Sequence, residues 1–250
     1  MPKRDLLFSK PTMNSAGSLG FAPEARTSPL WPDIGAFVTN PISMRPRKAA
    51  AVPALLEFQG GFLLHTGLPN PGFSSVLKRY SRRWQDSPVP VIVHLMADRP
   101  EETSRMVQAL EGVQNVMAAE LGFAPLLAPD IIALAVEMCR GELPLIVCLP
   151  PEQILDLGSR LLDLGAAALS LAPPRGALVM DGALVMGRLF GPAMYPKALE
   201  IVHSAARLGF PVIGSGGIYS RAAADDMLTA GALAVQLDSS LWLPSGQHGA

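Results

Sequence analysis

Between Phe210 and Trp242 the chain reads FPVIGSGGIYSRAAADDMLTAGALAVQLDSSLW, and this stretch restricts the fold more than any other. The apolar run 211–213 reads as a strand entering a turn at Gly214, Gly216 and Gly217, where the backbone can approach a ligand with no Cβ in the way. A helix starts with Ser220 as N-cap and stops at Gly231, and a second apolar run follows. The N–H groups where such a turn meets its helix suit a phosphate, because the helix N-terminus is positively polarised. A tight turn without a ligand would carry the same residues.

The same alternation fills the chain. Strands are expected at 12–16, 34–39, 91–95, 116–120, 145–149, 167–171, 211–214 and 233–237. Amphipathic helices are expected at 73–84, 100–110, 129–140, 151–164, 195–208 and 220–230, several opening on proline, whose missing donor costs nothing in a first turn. Eight short strands with intervening helices predict an α/β fold, a single (β/α)8 barrel over residues 1–250, whose functional face lies at the C-terminal strand ends. Its length of 250 residues matches that fold. The segment 41–72 is too long for a plain connection, and loops of that length usually cover a site. After the eighth strand, Pro244, Gly246 and Gly249 argue against a closing helix. Another subunit then covers that flank, or the ring stays open.

Twenty Lys and Arg against 21 Asp and Glu leave a net charge of −1, which gives no reason to expect a nucleic-acid partner. No apolar run is long enough for a membrane span or a leader, and two cysteines, Cys139 and Cys148, fit a reducing cytoplasm. Only 16% of residues are charged and mean hydropathy is +0.30, so part of the apolar surface is expected in a homo-oligomer, most simply a homodimer.

Five collinear segments resemble the dihydroorotate dehydrogenases, FMN-dependent flavoproteins that oxidise dihydroorotate in a (β/α)8 barrel. They are MNSAGSLGF from Met13, IGAFVTNPIS from Ile34, HTGLPNPG from His65, GRLFGPAMYPKALEIV from Gly187, and PVIGSGGI with AGALAVQL near the end. The resemblance implies FMN as cofactor, with Ala16, Gly17, Ser18, Asn40, Gly191, Gly216, Gly217 and Ser239 around it.

The departures concentrate on the chemistry. Asn40 and Cys148 stand where the family keeps lysines, and Leu64 and Ala172-Pro173 stand where it keeps substrate amides. By spacing, about Gly122 of AELGFA takes the place of the general base. Asp238-Ser239 replaces the Gly-Thr whose N–H groups hold the phosphate. Oxidising dihydroorotate needs a base and a flavin together. That reaction is therefore expected to be absent or negligible.

Other polar residues mark the strand ends. His94 and Glu120 can form an acid–base pair, or a metal site with Cys148 and Asp238; His94 equally suits a core histidine and Cys148 a small buried hydrophobe. His65, Arg175 and Arg188 fall in loops of the same face and can meet an anion or remain solvated. Met180, Met186 and Met194 suit either a contact surface or ordinary packing. Three readings remain open: a divergent FMN oxidoreductase on another substrate, a flavin-free structural or regulatory barrel, and a flavin-free enzyme using His94 and Glu120.

Overall fold

A computed structural model of the protein describes residues 6–23 and 34–242. Eight strands form a parallel ring in chain order: β1 (Thr12–Asn14), β2 (Phe37–Val38), β5 (Val91–Met96), β6 (Val116–Gly122), β7 (Leu145–Leu149), β8 (Ala168–Leu171), β11 (Val212–Ser215) and β12 (Ala234–Leu237). Seven fall within about two residues of the ranges expected from sequence, and β2 begins three residues later than its expected start at 34. The six helices also fall within about two residues: α1 (Phe73–Gln85), α2 (Pro100–Glu111), α3 (Pro129–Met138), α4 (Pro151–Asp163), α5 (Tyr195–Arg207) and α6 (Arg221–Thr229). Proline opens α2, α3 and α4, and the Ser220 hydroxyl accepts the Ala223 N–H at 3.1 Å to cap α6.

The ring is nearly closed, with its seam between the end strands β1 and β2. Between β1 and β2 the backbone makes only a parallel bridge, Met13 to Ala36. The Asn14 side chain completes the seam: its amide donates to Val38 O at 2.7 Å and its oxygen accepts Val38 N–H at 2.9 Å. A side chain thus satisfies two buried backbone groups where strand pairing stops. Past β12 the chain makes a 3-10 turn, Ser239–Trp242, and Trp242 Nε1 donates to Ser18 O at 3.1 Å. Pro244, Gly246 and Gly249, on which the missing last helix was argued, lie outside the described residues.

Two long connections are not loops. The segment 41–72 carries the hairpin β3 (Ala54–Phe58) and β4 (Gly61–His65), and the methionine-rich segment carries β9 (Arg175–Met180) and β10 (Ala183–Phe190). They join as an antiparallel sheet, β3-β4-β10-β9, over the C-terminal end of the ring. The β9–β10 turn is Asp181-Gly182 with φ of 51° and 76°, the left-handed pair that a two-residue hairpin needs.

The interior of the ring holds one apolar layer with residues from every strand: Met13, Val38, Ile92, Ala118, Ile146, Ala168, Ile213 and Ala234, with Ala36. Large and small side chains mix in it, as a barrel core requires. A second and larger core lies between strands and helices and includes Trp84, Phe37, Leu95 and Leu121. Among the described residues no helix is long and apolar enough to cross a membrane.

Candidate functional site

Stepping two residues along each strand from the apolar layer reaches the next inward layer, because side chains alternate with period two. Here that layer is polar: Ser15, His94, Glu120, Cys148, Ser170, Ser215 and Gln236, with Asn40 just past the end of β2. Glu120 is its hub and is fully buried. Its Oε2 lies 2.7 Å from His94 Nδ1, while Oε1 accepts from Ser170 Oγ at 2.7 Å and from Gln236 Nε2 at 2.8 Å.

Burial alone would raise the Glu120 pKa. The hydrogen bond and charge of His94, with the bonds from Ser170 and Gln236, outweigh it and hold the carboxyl below its ordinary value. An ionised carboxylate only accepts, so His94 donates to it from Nδ1. Nε2 points at Gly122, where any Cβ would strike the ring. Both residues line a cavity of about 60 Å³ with Cys148, Gln153, Ala172, Arg175 and Arg188.

The two arginines come from the overlying sheet. Arg175 and Arg188 are directly opposite in the β9–β10 ladder, an arrangement that repels. Burial, and for Arg188 the neighbouring Arg175, lower their pKa values, and among the described residues neither has a carboxylate partner. They also border an adjoining cavity of about 260 Å³, lined further by Ala16, Gly17, Ser18, Arg47, His65 and Asp238. Phe62, Phe190 and Trp242 cluster at its edge with ring centroids 5.6 to 6.2 Å apart.

The other expected residues divide. Ala16, Gly17 and Ser18 line the larger cavity, and Gly17 has φ of 93°. Asn40 is absent from both linings, and its oxygen accepts the Gly20 N–H at 3.0 Å. Leu64, Ala172 and Pro173 line the cavities and offer no side-chain polar group to a ring carbonyl. Cys148 lines the smaller cavity, but burial and then the charge of Glu120 push its thiol well above the usual range, which opposes a thiolate role. Among the described residues no three His, Cys, Asp or Glu side chains converge, so a metal site with Cys148 and Asp238 has no ligand set. Ser170, Ser215 and Gln236 were missed. The period-two step from Ala168, Ile213 and Ala234 would have found them.

At the glycine turn, Gly216 and Gly217 have φ of 107° and 71°, and both are buried. Gly191, with φ of 124°, is buried behind Gly217. Asp238 Oδ1 accepts the Ser239 N–H and, at 3.0 Å, the Ser239 hydroxyl, and burial pushes its carboxyl above the usual carboxylate range. Ser239 Oγ is 2.6 Å from Tyr219 Oη. The Ser239 N–H is among the donors that the family resemblance assigns to the phosphate of FMN, and Asp238 holds it.

The sequence model for dihydroorotate dehydrogenase matches residues 4–123. The catalytic subunit of dihydroorotate dehydrogenase B (NAD(+)) from Trichlorobacter lovleyi is 30% identical over 257 residues, covering 94% of this chain and 84% of that protein. The corresponding subunit from Geobacter sulfurreducens is 29% identical over 268 residues, covering 98% and 87%. Among solved structures, the dihydroorotate dehydrogenase of Eimeria tenella in complex with ferulenol superposes with a TM-score of 0.74 at 16% identity. That superposition covers 95% of this chain and 78% of the other, and it supports the fold alone.

Proposed function

The chain belongs to the dihydroorotate dehydrogenase family, and we propose that it is a divergent member, working in the cytoplasm, that transfers a proton on a small anionic substrate instead of oxidising dihydroorotate. One observation carries this reading: Arg175 and Arg188 oppose each other with no carboxylate partner among the described residues, over the same cavity that the His94–Glu120 pair lines. Two like charges held face to face are unfavourable until an anion sits between them. The arginines would hold a carboxylate with its neighbouring carbon near His94. Nε2 of His94 would take the proton, and Glu120 would stabilise the imidazolium that forms. The chemistry that suits this set is isomerisation or elimination next to a carboxylate.

The family reaction loses support at three points. Gly122 offers no base, Leu64 and Ala172 offer no amide, and Asp238 takes the Ser239 N–H and hydroxyl. A second reading keeps FMN as the redox group on some other substrate, supported by the family and by Ala16, Gly17 and Ser18 on the larger cavity. Bound FMN would supply hydride acceptance there.

The test has two arms. Purified protein should show no flavin absorbance near about 450 nm, and dihydroorotate should not bleach added FMN anaerobically. Malonate should raise the melting temperature, and Arg188→Ala should weaken its binding at least about tenfold, as loss of a charged bidentate contact requires. Rapid bleaching, or malonate binding that ignores Arg188, would overturn the reading.

A further inference from the structure

We infer that the substrate of this site is a dianion, an acid whose second carboxylate lies in the larger cavity against Arg47, with a flat apolar spacer between its two charges. The inference rests on the proton-transfer reading for the first carboxylate, which Arg175 and Arg188 hold. The two cavities form one cleft, because Ser15, Ala16 and Pro125 line both together with those two arginines. The inner space beside His94 is about 60 Å³, room for a few atoms, whereas the outer one is about 260 Å³. An acid that sets its reacting carbon toward His94 must therefore run the rest of its length outward.

Charge decides what that outer part carries. Arg47, Arg175 and Arg188 line the larger cavity against one acid, Asp238, whose Oδ1 already takes the Ser239 N–H and hydroxyl. A single substrate carboxylate would leave this cleft positive. Arg47 is exposed, and its Nε donates to Gly67 O at 2.5 Å. That bond sets the guanidinium plane and leaves the Nη groups free of any carboxylate partner among the described residues. Such a fork suits a second carboxylate. The same cavity has an apolar side of Leu64, Leu68, Phe190 and Trp242. Trp242 is held by its Nε1 bond to Ser18 O and by the Phe190 ring at 5.9 Å. Fixed rings beside arginines favour a flat spacer over a flexible chain.

Calorimetry with benzoate, phthalate, isophthalate and terephthalate tests this. Benzoate carries one charge. Phthalate carries two side by side, within reach of the Arg175–Arg188 pair alone, and the other two hold their charges apart. The better of isophthalate and terephthalate should bind at least about fivefold tighter than benzoate and phthalate, the scale of one added charge-assisted contact near solvent. Arg47→Gln should cut that advantage to about twofold or less and leave benzoate unchanged, whereas Arg188→Ala should weaken all four. Far-UV circular dichroism checks that each variant is folded, and the wild-type comparison stands without them. Four acids that bind alike, or an advantage that survives Arg47→Gln, would overturn the inference while Arg188→Ala still upheld the proton-transfer reading. Absence of all binding, or affinities that ignore Arg188→Ala, would overturn both.

Discussion

Replacing Glu120 by Gln should leave the chain folded while reversing the proton on His94, whereas replacing it by Leu should strongly destabilise the barrel. In the wild type three donors converge on the carboxylate, two on Oε1 and the His94 N–H on Oε2. A glutamine can keep its oxygen facing Ser170 and Gln236 and present its NH2 to His94. Nδ1 must then accept, and the proton moves to Nε2. Three hydrogen bonds to a charged acceptor, at about 1.5–3 kcal/mol each, become neutral ones at about 0.5–1.5, a gross loss of about 3–5 kcal/mol. Burying an amide instead of a carboxylate returns several kcal/mol. The net cost is about 2 kcal/mol or less. Leucine orphans all three partners at about 1–3 kcal/mol each, a cost of about 3–9 kcal/mol.

Urea unfolding at pH 7 measures both costs, and the His94 ring nitrogen shifts by NMR report the tautomer. In protease triads the wrong tautomer costs about 10⁴ in rate, so Glu120→Gln should also abolish turnover. Acidification adds a signed check. Because the Glu120 pKa is lowered from 4.5, its stabilisation is complete above that value and is lost as pH falls through the lower folded value. The stability gap between wild type and Glu120→Gln should therefore close in acid. Equal stabilities of the Gln and Leu variants within about 1 kcal/mol, or Nδ1–H persisting in the Gln variant, would refute the account.

Other outcomes follow from single contacts. Asn14→Leu strips partners from the buried N–H and C=O of Val38 and should cost about 2–6 kcal/mol in urea unfolding. Gly122→Ala places a Cβ against the His94 ring, and should cost about 1–3 kcal/mol and move the His94 ring resonances. We expect a homodimer, for which light scattering should give twice 26.4 kDa. Val179, Leu184 and Met186 on the β9–β10 hairpin are 69, 67 and 55% exposed, and Leu184→Asp should shift the mass toward the monomer. A wild-type monomer at tens of micromolar would count against it.

The elements of the ring were legible because their signals are local. Apolar runs, prolines at helix starts, Ser220 and the glycine turn act within a few residues, and so the expected bounds fell within about three residues of the observed ones. The second sheet was equally written in Asp181-Gly182 flanked by alternating apolar residues, but a covering loop was read in its place. Leu64, Ala172 and Gly122, which the family resemblance sets at catalytic positions, line the cavities.

What the residues alone determined is a parallel barrel with a glycine-built anion turn and an altered chemical face. Only the tertiary structure decided which polar residues meet. Inward direction depends on strand parity, and a one-residue slip would send His94, Glu120 and Cys148 into the helix layer. The partners of Glu120 lie 26, 50 and 116 residues away in the chain, a pairing that ring closure alone brings about.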